Sequence, residues 1–155
     1  QDSIYNGLAA AKRHFPDESC VLIHDGVRPL ITQQTITDNI NMVREKGNCI
    51  TCIPATETFV VRQKDESLYI PTRADSLIAR APQSFILGEI LQEHERAREA
   101  GMHEFIDSCT MMSYYGHPMN TIIGPMENIK ITTPTDFFIF RAMVEVHENQ
   151  QIFGF

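Results

Sequence analysis

Long apolar segments and a surplus of basic residues are both missing from this sequence of 155 residues. It has no unbroken apolar run near the roughly 20 residues that a membrane span needs, and no signal-peptide pattern at its start. The formal net charge of −7 argues against nucleic acid or an anionic membrane as a partner, because such partners usually select a basic excess. We therefore expect a cytoplasmic protein with neither partner.

Several enzyme signatures are missing as well. Without G-x-S-x-G, hydrolase chemistry has no support, and the histidines form no H-E-x-x-H metal pattern. Without G-x-G-x-x-G, a generic Rossmann-like redox domain is disfavoured. Cys49 and Cys52 form a lone C-x-x-C, but residues three apart in a strand point to opposite faces. We expect reduced, structural cysteines rather than a disulfide or a metal site.

The apolar pattern alternates between short strands and helices. Residues 20–23 and 49–53 are predicted as buried parallel strands, and a helix over residues 35–46 lies between them. Strand, helix, strand is a βαβ unit, so the sheet is expected to be at least partly parallel. Further helices are predicted near the start and at residues 86–97, 107–115 and from 134 onward, with a strand at 120–123.

Each helix has a predicted inward face or cap. The first helix is expected to bury Ile4, Leu8 and Ala11, and the helix over residues 35–46 to bury Ile36, Ile40 and Val43. The last helix has Thr133 as its predicted N-cap and Pro134 at its first position. Its predicted buried stripe consists of Phe137, Phe138, Met143 and Val146.

Residues 56–72 interrupt the α/β alternation. Two short strand signals, at residues 58–61 and 68–70, flank a polar turn, which predicts a hairpin. A two-stranded ribbon alone is marginal in water. We therefore expect it to pack on something else, and a second subunit is the partner that we favour.

Charged residues follow the predicted strands at the place where open sheets bind ligands. Asp25 and Arg28 stand three apart after the first strand. They could hold a metal and a phosphate, or form a local ion pair that shapes a turn. Lys130 is either a point charge for phosphate or a solvated lysine. Arg73 and Arg80 could each clamp a phosphate or serve a surface role.

Two runs about 100 residues apart are the most distinctive motifs, Val21-Leu22-Ile23-His24-Asp25-Gly26-Val27-Arg28-Pro29 and Asn128-Ile129-Lys130-Ile131-Thr132. Shorter matches surround them: Gln1-Asp2-Ser3-Ile4, Gly7-Leu8, Pro54, Glu57-Thr58, Arg73, Ala81-Pro82-Gln83-Ser84-Phe85, Asp107, Pro134 and Asp136. In this order the motifs resemble the family of methylerythritol-phosphate and ribitol-phosphate cytidylyltransferases. The resemblance extends over nearly the whole chain.

The resemblance implies an α/β fold with a partial Rossmann-like nucleotidyltransferase sheet, flanking helices and a protruding β-arm hairpin at residues 56–72. In the family this arm reaches across a homodimer, and an upstream glycine-rich loop wraps the CTP phosphates. No such loop is present in this sequence. We therefore expect residues 1–155 to be the C-terminal two-thirds of a single cytidylyltransferase domain, inactive on its own.

The resemblance also implies roles for four residues around the reacting phosphates. Asp25 would coordinate Mg²⁺ beside the α-phosphate, and Lys130 would neutralise that phosphate. Arg28 would hold the phosphate of the acceptor, and Asp107 would hydrogen-bond the acceptor's hydroxyls. Such roles suit nucleotidyl transfer, in which the protein mainly positions and neutralises the reacting groups.

Four further residues complete the implied site. Ser3 and Gly26 would bind the nucleotide, with Ser3 against the cytosine. Thr58 and Arg73 lie on the arm, and the resemblance implies that they contact the acceptor phosphate in the neighbouring subunit's site, where Arg73 would assist catalysis. The implied partners are therefore CTP, a polyol phosphate and a second copy of this chain.

Two departures from the methylerythritol enzymes concern the acceptor. Those enzymes usually have Thr where this chain has Ala81 and Ile106, and the run Asp107-Ser108-Cys109 is similar to the ribitol-phosphate branch. We therefore expect transfer of CMP from CTP to a polyol phosphate, with ribitol 5-phosphate favoured and pyrophosphate released. The alternatives are 2-C-methyl-D-erythritol 4-phosphate as acceptor, or a non-catalytic nucleotide-binding or dimerisation relative.

Overall fold

The secondary structure is described for residues 1–102 and 104–153 of a computed structural model. Among these residues, no helix combines the length and the apolar character that crossing a membrane requires. The helices are α1 (Asp2–Lys12), α2 (Gln33–Lys46), α3 (Leu87–Glu99), α4 (Ser108–Tyr114) and α5 (Pro134–Phe153), with a 3₁₀ turn at Arg73–Asp75. The strands are β1 (Cys20–Ile23), β2 (Cys49–Pro54), β3 (Val61–Arg62), β4 (Leu68–Tyr69), β5 (Leu77–Ile86) and β6 (Asn120–Ile123).

Four strands form a mixed sheet in the order β1-β5-β2-β6. Strands β2 and β6 run parallel, which confirms the α/β class and the partly parallel sheet. The long strand β5 lies between β1 and β2 and runs antiparallel to both. The sequence did not predict β5, because Arg80 and Pro82 break any apolar run and proline usually argues against an inner strand.

The prediction of β1 as a buried strand is wrong, although β1 and β2 are both antiparallel to β5 and so run in the same direction, as the predicted βαβ unit requires. All four residues of β1 are only half-buried, and its partner among the described strands, β5, runs antiparallel to it. Its run of apolar side chains resembled that of a strand covered on both faces. In the described part of the chain, however, β1 lies at one end of the sheet order.

The main core lies between the sheet, α1, α3 and α4. Phe85 of β5 and Leu87 and Ile90 of α3 are fully buried, and Leu8 of α1 packs with them. Ile4 and Ala11 are half-buried against the same cluster. The predicted inward face of α1 and the predicted helix over residues 86–97 are therefore confirmed.

Helix α2 buries Val43 as predicted, but the other two residues of its predicted inward face are not buried. Thr35, Asn39 and Val43 are its buried residues, whereas Ile36 is exposed and Ile40 only half-buried. The reason is a hydrogen-bond network beneath the sheet. Asn39 Nδ2 donates to the Thr35 carbonyl and to Thr51 Oγ1 (both 2.9 Å), and Ser84 Oγ donates to Asn39 Oδ1 (2.8 Å). Because every polar group in it finds a partner, this face can be buried without a large penalty.

Helix α5 begins as predicted but does not bury the predicted stripe. The Asp136 N–H donates to Thr133 Oγ1 at 3.2 Å, which confirms the N-cap. Phe137, Phe138 and Val146 are nevertheless exposed, and only Met143 of the stripe is half-buried. No other described element packs extensively against α5, so its apolar side chains have little to cover them within the described chain.

The predicted hairpin is confirmed, with shorter strands than expected. Strands β3 and β4 pair antiparallel over two residues each and form a sheet separate from the main one. Glu66 lies in the turn with a φ of 66°. The segment that contains this hairpin, residues 56–72, is called the arm below.

A close contact between Gly124 and Thr51 gives a stability prediction. A Cβ on Gly124 would lie 2.5 Å from Thr51 Cγ2, and Thr51 is 1% exposed, so it has little room to move. We expect Gly124→Ala to lower the free energy of unfolding by about 1–3 kcal/mol, measured by urea denaturation. Adding Thr51→Ser, which removes the methyl and keeps the hydroxyl, should recover part of the loss.

The control for this prediction is Gly7→Ala. Gly7 lies in α1 with open space around it, so alanine should stabilise by up to about 1 kcal/mol through helix propensity. Equal stability of wild type and Gly124→Ala, or no rescue by Thr51→Ser, would contradict the close contact.

Candidate active site

A cavity of about 230 Å³ opens beyond the carboxyl end of β1, between the loop after that strand, β5 and the start of α4. Open α/β sheets bind ligands at such strand ends. The cavity is lined by Ile4, Ile23, Asp25, Arg28, Ala79, Arg80, Ala81, Gln83, Ile106, Asp107, Ser108 and Lys130. Four of the predicted site residues, Asp25, Arg28, Asp107 and Lys130, are thus brought together.

Arg28 holds the loop after β1 in shape. Its Nε donates to Asp25 Oδ2 at 3.0 Å, and one terminal nitrogen, Nη1, donates to the Asn128 carbonyl at 3.0 Å. His24 Nε2 lies 2.9 Å from the Arg28 carbonyl oxygen, to which it can donate. The Arg28 side chain is only 9% exposed. The local ion pair that the sequence left open as an alternative therefore exists, and it lies within the candidate site.

The second motif lies directly against the first. The Ile131 N–H donates to the Val27 carbonyl at 2.9 Å, and Asn128 Nδ2 donates to the Ala81 carbonyl at 3.3 Å. These bonds bring Lys130 Nζ to 3.7 Å from Asp25 Oδ2. Lys130 is 48% exposed, so its ammonium can meet a ligand without leaving its partner.

Two hydrogen bonds hold the Asp107 carboxylate at the N-terminus of α4, and a third holds Gln83, which makes one of them. Asp107 Oδ1 accepts from the Thr110 N–H at 2.7 Å, and Asp107 Oδ2 accepts from Gln83 Nε2 at 2.9 Å. Gln83 Oε1 accepts in turn from the Cys109 N–H at 3.0 Å. Gln83 therefore orients Asp107. The sequence offered Gln83 only as part of a motif and gave no signal of this contact, which spans 24 residues.

The cavity has more positive than negative charge. Arg28, Arg80 and Lys130 line it together with two carboxylates, Asp25 and Asp107. Burial and the nearby charge of Arg28 lower the pKa of the Arg80 guanidinium, which nevertheless stays protonated in water. A phosphate group suits such a surplus of cations, because it would relieve the repulsion between them.

The other predicted residues lie outside this cavity. Ser3 lines a neighbouring cavity of about 380 Å³ along α1 and β1, which shares Ile4 and Ile23 with the first one. Gly26 is exposed beside Asp25 and lines neither cavity. Thr58 and Arg73 are exposed on and just after the arm and line neither cavity.

The donor set around Asp25 suits a magnesium ion that is held mainly by its substrate. Asp25 Oδ1 accepts no hydrogen bond from any described residue, while Oδ2 accepts from Arg28. In the described part of the chain, no group of three or more His, Cys, Asp or Glu could form a protein cage. Mg²⁺ commonly needs only one or two carboxylates together with substrate phosphates and water, so the residues fit that ion.

A mixed α/β sheet with a cation-lined cavity at its strand ends defines an α/β protein with a site for an anionic ligand. The chain belongs to the family of 2-C-methyl-D-erythritol 4-phosphate cytidylyltransferase (IspD), whose family model matches residues 1–146. The resemblance that the motifs indicated is thereby confirmed.

Relatives and a solved structure agree with this placement. Ribitol-5-phosphate cytidylyltransferases of Vibrio parahaemolyticus serotype O3:K6 and Streptococcus agalactiae serotype III are 48% and 45% identical over 155 residues, 99% of this chain. The chain spans 65% of the length of each of these relatives. The crystal structure of 4-diphosphocytidyl-2C-methyl-D-erythritol synthase from Anaerococcus prevotii matches with a TM-score of 0.81 and 26% identity, over 92% of this chain and 63% of that one.

Proposed function

We propose that the intact protein is a cytidylyltransferase, which transfers CMP from CTP to a polyol phosphate and releases pyrophosphate. The observation that carries this proposal is the meeting of Asp25, Arg28 and Lys130 in one cavity, joined by contacts of 3.0 and 3.7 Å. Such a transfer needs a carboxylate to hold the metal and cationic side chains to bind phosphates. Membership of the IspD family supports the same activity.

In the proposed reaction, an oxygen of the acceptor phosphate attacks the α-phosphorus of CTP. A new phosphorus–oxygen bond forms, the bond from the α-phosphorus to the bridging oxygen breaks, and pyrophosphate leaves with that electron pair. Lys130, 3.7 Å from Asp25, would neutralise charge on the α-phosphate. Arg28 holds Asp25 in place, and Asp25 would hold Mg²⁺. When bound, the ion supplies Lewis-acid polarisation of phosphate oxygens.

Binding and positioning make up the rest of the proposal. Asp107, oriented by Gln83, accepts hydrogen bonds from acceptor hydroxyls, and Arg28 has one terminal nitrogen left for an acceptor phosphate. Ser3 and Gly26 contact the nucleotide. The cavity that Ser3 lines adjoins the first one, as a binding site for the base would. A cytoplasmic location stays a prediction.

We propose ribitol 5-phosphate as the acceptor. Ala81 and Ile106, the two departures from the methylerythritol enzymes, both line the cavity. The backbone of Cys109 is part of the network that fixes Asp107. Apolar groups in place of hydroxyls change which acceptor hydroxyls find partners, and an unpaired buried polar group is strongly rejected. The names of the two relatives favour the same acceptor.

The acceptor prediction can be tested with the intact protein, CTP and Mg²⁺. We expect pyrophosphate release to be at least about tenfold faster with ribitol 5-phosphate than with 2-C-methyl-D-erythritol 4-phosphate at equal concentrations, because a mispaired hydroxyl costs that much or more. The reverse preference would overturn the branch assignment and leave the activity standing. No release with any polyol phosphate would instead favour a non-catalytic relative.

A further inference from the structure

Arg80 is a cation of the cavity that has no hydrogen-bond or ion-pair partner among the described residues. It lies on β5, is half-buried, and lines the cavity between Ala79 and Ala81. Its Nε is buried, and no described residue hydrogen-bonds to this Nε or forms an ion pair with the guanidinium. A buried donor left without a partner is costly, especially on a charged group. Such a group therefore indicates a ligand that supplies the acceptor.

The other two cations of the cavity are already engaged. Arg28 uses Nε for Asp25 and Nη1 for the Asn128 carbonyl, which leaves one nitrogen. Lys130 lies 3.7 Å from Asp25. Arg80 thus has the largest set of unused donors in the cavity, and it lies close enough to Arg28 for their charges to repel each other. An anion between the two guanidinium groups would remove that repulsion.

We infer that Arg80 binds the phosphate group of the polyol phosphate acceptor, with its guanidinium donating to two phosphate oxygens. The inference rests on the proposed function. Arginine is suited to this role because its planar fork matches two oxygens at once.

The position of Arg80 favours the acceptor over CTP as the source of this phosphate. The charge of Arg80 is felt by Arg28, the residue that would hold the acceptor phosphate. Arg80 also shares β5 with Gln83, which orients Asp107 for the hydroxyls of a polyol. Sharing the cavity alone does not discriminate, because Asp25 and Lys130 line it as well. Arg80 does not line the neighbouring cavity, which contains Ser3. The two sources share the same phosphate chemistry, so the experiment has to separate them.

The test compares Arg80→Met, Arg80→Lys and wild type in the intact protein. Arg80→Met should raise the KM for ribitol 5-phosphate about 10- to 100-fold, as expected for charged hydrogen bonds lost to the phosphate. The KM for CTP and the kcat should change less than about twofold, since the contact is made equally before and during the reaction. Arg80→Lys keeps the charge and loses the fork, so its KM should lie in between.

Arg44→Met is the matched control, because it removes the same charge elsewhere. Arg44 is exposed on α2 and lies near Cys20 at the start of β1, where it slightly opposes the rise in the thiol pKa that burial causes. The cavity lies beyond the opposite end of that strand. This variant should keep both KM values of the wild type.

Binding of ribitol 5-phosphate without CTP, measured by titration calorimetry, separates this inference from the proposed function. The inference is supported if the wild type binds ribitol 5-phosphate and Arg80→Met binds it at least tenfold more weakly, even if no pyrophosphate is ever released. Unchanged acceptor binding and KM in Arg80→Met would overturn it. A rise in the KM for CTP alone would also overturn it, because the phosphate would then belong to the nucleotide. If Arg80→Met fails to fold, a wild-type KM for the acceptor in Arg80→Lys overturns it.

Discussion

Replacing Asp25 by Asn is expected to lower turnover about 10³-fold while the fold stays intact, because the change removes a charge that holds Mg²⁺ and hardly alters the shape. Asn Oδ1 can still accept the hydrogen bond that Arg28 Nε now donates to Asp25. Arg28 also keeps its bond to the Asn128 carbonyl. The loop after β1 should therefore stay in place, with a stability loss of about 1 kcal/mol or less.

The measurement is pyrophosphate release at saturating CTP and acceptor over a series of Mg²⁺ concentrations, with thermal unfolding followed in parallel. Asp38→Asn is a suitable control, because Asp38 is a carboxylate of α2 that accepts a side-chain hydrogen bond from Gln34, outside the cavity. It should keep wild-type turnover. Wild-type turnover in Asp25→Asn itself would rule out the metal assignment, whatever its melting temperature.

The elements with a clear apolar period could be predicted from the sequence, and the others could not. Helix α3 has a strong period, and it was predicted to within two residues at each end. Strand β5 has none, because Arg80 and Pro82 interrupt it, yet its pairing with two neighbours makes it the centre of the sheet. The face of α2 was only partly predicted, because Asn39 is buried through partners on β2 and β5. Partners from distant elements leave no local pattern in the sequence.

The candidate site was predictable where a motif follows a strand. Asp25 and Lys130 were expected at strand ends, and the structure brings them to 3.7 Å. Gln83 was not given a role, because its contact with Asp107 depends on the position of β5. Thr58 and Arg73 are exposed and line neither cavity. Their proposed roles depend on a second subunit, whose site the arm would reach.

Replacing residues 59–70 by a short Gly-Ser linker is expected to give an inactive monomer, whereas the intact protein should be a homodimer. The arm exposes Phe59, Leu68 and Ile70 (40%, 66% and 60%). Among the described strands, its two-residue strands pair only with each other. A ribbon this small is barely stable without cover, and an exposed apolar patch marks an interaction site. An exchange of arms about a two-fold axis would cover both arms with one self-complementary contact.

Light scattering and pyrophosphate release, measured at the same protein concentration, decide this prediction. The linker variant should show half the wild-type mass and no measurable turnover. It keeps Thr58 and Arg73, but without the arm exchange these residues no longer reach a partner's site. A monomeric mass of the intact protein together with full activity would exclude the arm exchange. The linker alone, however, cannot separate lost assembly from a lost catalytic contact.

Mixing two inactive variants separates these effects. Asp25→Asn and Arg73→Met each keep the arm, so both should be dimers, and each should be inactive alone. In a mixed dimer, the subunit with Arg73→Met keeps its own Asp25 and receives Arg73 from its partner, so one of the two sites is complete. Random exchange makes half of the dimers mixed, which restores about a quarter of wild-type turnover if the arms cross the two-fold axis. If Arg73 served its own subunit instead, every site would lack one residue and the mixture would stay inactive.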